Sequence, residues 1–333
     1  MTKKTVLVIG SNSFSGADFI DYLLQATDYQ VIGVSRSPEK SAVFLSYLQR
    51  ADLAKRYQFH QLDLNHDMAR LCTILDQEQP AFIINFAAQS EVAPSWENPG
   101  QWFQTNGVAI AELGSFLCGK KWLERYVHIS SPEVYGSCEG VVLEDAPLNP
   151  STPYAASKAA GDLFLFTLAK QFNFPMVMIR STNVYGAGQQ LFKIIPRTAI
   201  YLKLGKTIEL HGGGVAVKSY IHIRDISRGE LAAMEKGTNG SIYHLSPDDG
   251  VSVKGVVETI CTKMDIAFES ATRMVDERPG QDRAYVIDST RARSTLGWKP
   301  EISLESGLGK VIDWVEENWQ EIKTTPLEYQ HIP

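Results

Sequence analysis

The run Thr5-Val6-Leu7-Val8-Ile9 breaks into a glycine-bounded turn, Gly10 to Gly16, and then into an amphipathic stretch from Ala17 to about Ala26. A short β-branched apolar run of this kind suits a strand buried on both faces of a parallel sheet. Strand, tight turn and helix in succession open a βαβ unit. The turn and the helix start direct backbone N–H groups at one point, where a phosphate can sit. Gly10 permits the tight turn and Gly16 permits close approach of helix to strand. Ser13, where glycine is usual, is small enough for a pyrophosphate to approach the backbone, and Phe14 follows it.

The same alternation recurs. Gln30–Val34, Gln58–Leu62, Ala81–Ala88, Tyr126–Ile129 and Pro175–Arg180 read as further strands, with helical patterns between them. This predicts an α/β fold with a Rossmann-like, doubly wound parallel sheet and a ligand crevice at the carboxyl ends of its strands. Composition changes after residue 182, with Gly186, Gly188, Gly205 and Gly212-Gly213-Gly214 among shorter elements. Residues 1–182 are therefore expected to form a dinucleotide-binding domain. Residues 183–333 are expected to form a smaller mixed α/β lobe, interleaved with late strands of the sheet.

Strand ends refine the crevice. A site for NAD usually closes its second strand with a carboxylate on the ribose diol. Here the chain reads Ser35-Arg36-Ser37, and Arg36 suits a 2′-phosphate, which favours NADP over NAD. Asp63-Leu64 suits the adenine amino group, and Ala87-Ala88 lets a cofactor lie close. Asn106, inside the helical stretch Gln101–Cys118, is a candidate for ordering a water near the site.

The 333 residues carry a net charge of −6, which argues against nucleic acid or an anionic membrane surface as partner. No apolar run nears the ~20 residues of a membrane span, and the start lacks a signal-peptide pattern, so a cytoplasmic protein is expected. Cys72, Cys118, Cys138 and Cys261 are scattered without a Cys-x-x-Cys, as for cytosolic thiols, and no metal site is expected.

Ser130-Ser131-Pro132-Glu133-Val134-Tyr135-Gly136 opens a loop after the Tyr126–Ile129 strand. Tyr154 and Lys158 follow at i, i+4, on one face of a predicted helix. Together they provide a hydroxyl, a carboxylate, a phenol and an ammonium. Such a set can remove one proton from a sugar hydroxyl and another from carbon.

The combined motifs resemble an extended short-chain dehydrogenase/reductase acting on nucleotide sugars. They run from the Gly10 turn through Asp63-Leu64, Asn85 to Ser90, Ser131…Tyr154-x-x-x-Lys158 and Asn183-Val184-Tyr185-Gly186 to Arg278-Pro279-Gly280 and Leu296 to Pro300. Within that family, Ser131 to Gly136 and Gln281 to Tyr285 resemble the NDP-sugar 4,6-dehydratases. Ala87-Ala88-Gln89-Ser90 and Arg36 are similar to the GDP-mannose dehydratases, which use NADP. Pro132 replaces the aspartate that dTDP-glucose dehydratases use as an acid. Phe192 replaces a glutamate, and Lys218 stands where a phosphate-binding arginine is common.

The resemblance implies a lyase that makes a 4-keto-6-deoxy sugar by transient oxidation at sugar carbon 4, with tightly bound NADP or NAD. Ser131, Glu133, Tyr154 and Lys158 would be catalytic, with Lys158 and the oxidised nicotinamide favouring the Tyr154 phenolate. Gln89, Ser90, Asn183, Lys193, Lys218, Arg278 and Arg283 would bind the nucleotide sugar. A 4-epimerase needs only Ser131, Tyr154 and Lys158, and usually lacks a charge at position 133. A UDP-glucuronate decarboxylase keeps the glutamate, and a non-enzymatic dinucleotide-binding regulator would typically lose the Tyr/Lys pair. Apolar faces on the Gln101–Cys118 and Tyr154–Lys170 helices imply a homodimer by analogy with the family.

Overall fold

The computed structural model describes residues 3–138, 140–276 and 286–332. Its centre is a seven-stranded sheet. In spatial order the strands are Ile242–Leu245, Met176–Ser181, β5 (Arg125–Ile129), β4 (Phe82–Asn85), β1 (Thr5–Ile9), β2 (Gln30–Ser35) and β3 (Tyr57–Gln61). All six neighbouring pairs are parallel. Chain order reverses at β1, which lies between β2 and β4, and this creates a crevice beyond their carboxyl ends.

Helices cover both faces. α1 (Phe14–Ala26) and the helix Ile223–Lys236 bury Phe19, Ile20, Leu23, Ile226 and Met234 against one face. α2 (Met68–Glu78) and the helices Ala109–Leu117 and Pro153–Phe172 bury Leu71, Leu75, Leu113, Leu117 and Leu165 against the other. A further core joins Tyr185, Leu191, Ile195, Ile208, Val256, Leu308 and Trp314, all from the later part of the chain. No helix among the described residues is long and apolar enough to cross a membrane.

Three local expectations differ from the structure. α1 begins at Phe14 rather than Ala17, because the Ser13 hydroxyl caps it by accepting from Gly16 N at 3.0 Å. β4 ends at Asn85 rather than Ala88; the Asn85 side chain accepts from Ala87 N at 2.9 Å and turns the chain out of the sheet. The helical stretch from 101 to 118 is interrupted by a π-turn over Gln104–Val108, where Asn106 faces inward. Such turns recur at functional sites.

Candidate active site

After β5 the chain makes a 3₁₀ turn, Pro132–Tyr135, with Ser131 as its cap and Pro132 at its first position. Ser131 Oγ accepts from Glu133 N at 3.2 Å. Thr152 caps the helix Pro153–Phe172 by accepting from Ala155 N at 3.1 Å, and this brings Tyr154 and Lys158 beneath the turn. The Ser131 hydroxyl lies near enough to the Tyr154 phenol to favour its ionised form. Lys158 Nζ donates to the carbonyl of Ile129 at 2.8 Å, at the end of β5. Ser131, Glu133, Tyr154 and Lys158 thus come together.

The electrostatics differ from the expected phenolate. Burial pushes the Tyr154 phenol up, the Glu133 and Glu91 carboxylates add to that push, and only the Ser131 hydroxyl opposes it. Burial also pulls Lys158 down to about 8, against the pull of Asp162. In the chain by itself the Tyr154 phenol is therefore held in its neutral form.

A buried polar cluster underlies the pair. Asp162, one turn beyond Lys158, accepts from Ser130 Oγ at 2.6 Å and from Arg180 at 2.7 Å, and His128 Nε2 lies 3.4 Å from its other oxygen. Burial alone would raise the Asp162 carboxyl, but the neighbouring His128 ring and the Arg180 charge outweigh it and hold the group down to about 2. The Arg180 guanidinium also lies over the Tyr135 ring, 4.6 Å from its centroid, and Tyr135 Oη meets His244 Nε2 at 2.7 Å. Asp162 escaped the sequence reading although its i+4 spacing from Lys158 could have flagged it. Asn106 is locked in place, taking Gln89 N at 3.0 Å and donating to Gln89 O and Ser157 Oγ at 2.9 Å each.

The dinucleotide crevice is walled by Gly10, Ser13, Arg36, Asp63, Leu64, Ala87 and Ala88. Gly10 has φ +81°, and a Cβ there would lie 2.7 Å from Ala87 N. At Gly16 a Cβ would lie 2.3 Å from the Gly10 carbonyl oxygen. The turn therefore packs its backbone tightly against the end of β4 and the start of α1, and the helix start it forms fits a pyrophosphate. Phe14 is buried behind it. Asp63 Oδ1 accepts from Asn65 N at 2.8 Å and holds its own loop.

The expected sugar-nucleotide residues are spread around the opening. Ser90 is exposed, whereas Gln89 is buried and donates to the Ile332 carbonyl at 3.0 Å. Asn183 Nδ2 donates to Ser219 O at 3.2 Å. Lys193, at the start of the helix Ile194–Lys203, donates to both oxygens of Glu91 at 2.8 and 3.1 Å. Lys218 lies on the short strand Val217–Lys218. Arg278 and Arg283 lie outside the described residues. Glu91 was not anticipated, because its pairing with a residue 102 positions away leaves no local signal. Among the described residues, no cluster of three or more His, Cys, Asp or Glu could hold a metal ion.

The chain is similar to known proteins over nearly its whole length. The chain is 28% identical over 340 residues to a dTDP-glucose 4,6-dehydratase of Neisseria gonorrhoeae, covering 95% of this chain and 96% of that one. It is 28% identical over 337 residues to the human dTDP-D-glucose 4,6-dehydratase, covering 99% and 95%. A Streptomyces venezuelae dTDP-glucose 4,6-dehydratase, solved with NAD and TYD bound, superposes with a TM-score of 0.87 at 28% identity, covering 95% of this chain and 98% of that one. The family model described as GDP-mannose 4,6 dehydratase matches residues 7–311, nearly the whole length over which the motifs lie, and the chain belongs to that family.

Proposed function

We propose that this chain is an NDP-sugar 4,6-dehydratase that converts a nucleotide hexose to its 4-keto-6-deoxy form. The observation that carries the reading is Glu133, a carboxylate close enough to Tyr154 to raise its phenol and set two residues beyond Ser131. When bound, a nicotinamide dinucleotide supplies reversible hydride transfer, from sugar carbon 4 and back to carbon 6. Tyr154 Oη, ionised once a positively charged cofactor is in place beside Lys158, takes the proton of the 4-hydroxyl, and Ser131 holds that oxygen in line. The resulting ketone acidifies carbon 5, and Glu133 takes its proton. Pro132 offers no acid, so the protonated Glu133 passes its proton to the departing 6-hydroxyl, which leaves as water. The Tyr154 proton balances reprotonation at carbon 5, and both side chains end as they began.

The cofactor site is read as one for NADP in preference to NAD. Arg36 and Ser37 stand in the crevice beyond β2, in support of a 2′-phosphate. The neighbour from Streptomyces venezuelae carries NAD, which supports the broader NAD(P) assignment. Asn183, Lys193, Lys218, Arg278 and Arg283 are read as sugar-nucleotide contacts. Residues 1–182 are read as the dinucleotide-binding domain and 183–333 as the sugar-nucleotide lobe, interleaved with late sheet strands.

Two further parts of the reading concern the whole protein. Phe103, Val108 and Leu163 are exposed on the paired helices, in support of a homodimer formed across them. None of the four cysteines is in a disulfide, in keeping with a cytoplasmic protein. Sedimentation that found only monomer would remove the first expectation.

The experiment is turnover of GDP-, dTDP-, UDP- and CDP-hexoses, read by the ultraviolet absorbance of 4-keto sugars in alkali. Glu133→Gln is expected to lower product formation by about 100-fold or more. An undiminished 4-keto product would remove Glu133 from proton abstraction. A wild-type protein that only inverts carbon 4 would make the chain an epimerase.

A further inference from the structure

The crevice has a wall that comes from far along the chain. Its described lining derives from residues 9–105 with one exception, Ile332. The Ile332 carbonyl accepts from the Arg36 guanidinium at 3.0 Å and from Gln89 Nε2 at 3.0 Å. Arg36 follows β2 and Gln89 follows β4, the two strands that flank β1. One carbonyl therefore bridges the two sides of the opening in which a dinucleotide must lie.

The segment leading to Ile332 is pinned at several points. Leu327 packs against the core of the later residues. The Tyr329 ring meets the Phe192 ring edge-on at 5.4 Å, beside Lys193. Tyr329 Oη meets His331 Nδ1 at 3.0 Å. His331 Nε2 reaches Gln101 Oε1 at 2.6 Å, and its ring stacks on the buried Trp102 at 5.1 Å with planes 14° apart. These contacts carry the chain from the sugar-nucleotide side, across the helix of Trp102, to the adenosine side. The segment contains no helix beyond Ile322 and no strand, so its course rests on these side-chain anchors and on the Ile332 carbonyl.

We propose that residues 327–332 form a cofactor-retaining strap, the closing wall of the dinucleotide site, which orients Arg36 and covers the gap between Arg36 and Gln89. The proposal rests on reading the crevice as the dinucleotide site. Arginine's fork is planar, so a carbonyl that takes one of its N–H groups also sets the plane in which the others meet a phosphate. A dinucleotide leaving the crevice must part the Ile332 bridge. An enzyme whose cofactor is reset within each turnover loses nothing by such slow release. The strap also joins the two sites, because Phe192 under Tyr329 is the neighbour of Lys193.

The test is release of NADP, and separately of NAD, from the loaded full-length protein, measured as the dissociation rate after dilution into labelled dinucleotide. Deletion of residues 326–333 is expected to speed release by about tenfold or more, the scale of a lost hydrogen bond to a charged group. His331→Ala, which removes the stack on Trp102 and the bond to Gln101 while leaving the rest of the chain intact, should act in the same direction by about threefold or more. It decides the question should the shortened chain fail to fold. Release from His331→Ala and from a folded shortened chain at the wild-type rate would overturn the strap. Failure of the full-length protein to bind either dinucleotide would overturn the crevice reading on which it rests.

Discussion

The Arg180 guanidinium donates to Asp162 at 2.7 Å, and neither residue has any exposed surface. Strand and helix each bring one charge to a point directly below Lys158, where Ser130 and His128 add further polar contacts. The floor of the candidate site is thus an ionic cluster in the sheet–helix interface.

Asp162→Asn leaves Arg180 buried without its counter-charge and is expected to destabilise the protein by about 3–5 kcal/mol. Asp162→Leu combined with Arg180→Met should cost less than the sum of the two single changes, because no lone charge remains. Urea midpoints of the four proteins check this. Additive losses would show that the two residues act independently.

Lys158 sets an alkaline signature. Its pKa is lowered to about 8, chiefly by burial, below its unfolded value of 10.5. Between these values the unfolded chain binds the extra proton, so this group's contribution to stability rises with pH from about 8 to about 10.5, by ~3 kcal/mol in all. Lys158→Met should abolish that rise while lowering turnover by about 100-fold or more. Chemical unfolding at pH 7 and pH 10 gives the comparison, and an unchanged difference would place the effect elsewhere. Asp162 acts in the opposite range. Held down to about 2 from 3.8, it stabilises fully above about pH 4 and loses that contribution as the pH falls through 2.

Arg36→Ala is expected to weaken NADP by roughly 10- to 100-fold while changing NAD much less, since only NADP brings the 2′-phosphate. Fluorescence titration with the reduced dinucleotides measures both affinities. An unchanged ratio would leave the preference without its proposed cause.

Gly10→Ala combines a φ of +81° with a Cβ 2.7 Å from Ala87 N. The strain should cost about 1–3 kcal/mol and displace the turn from the pyrophosphate position. Lower dinucleotide affinity with the fold retained in circular dichroism is the expected outcome. Unaltered affinity would mean that the turn absorbs the methyl group without moving.

Much of this protein is legible in its sequence. β1 and the centre of β2 appear as short apolar runs because a parallel strand covered on both faces has little room for polar groups, and β5 keeps that pattern apart from His128. Tyr154 and Lys158 are legible because helix geometry places i and i+4 side by side. The helix interruption at Asn106 had no such signal, since it follows from Asn106 bonding Gln89 and Ser157, residues distant in sequence. The net direction at Tyr154 was also beyond the sequence, because burial, its largest cause, is a property of the assembled fold.

By itself, then, the sequence determined what local periodicity and turn chemistry can encode: the βαβ rhythm, the glycine cradle, and the Ser131, Glu133, Tyr154 and Lys158 set. Tertiary structure decided the rest. It brought Arg180 to Asp162, Lys193 to Glu91, the late strand Ile242–Leu245 to the sheet edge, and Ile332 across the crevice of residues 9–105. Each of these depends on packing between segments far apart along the chain, and a pairing of that kind leaves no periodic trace in the sequence at either end.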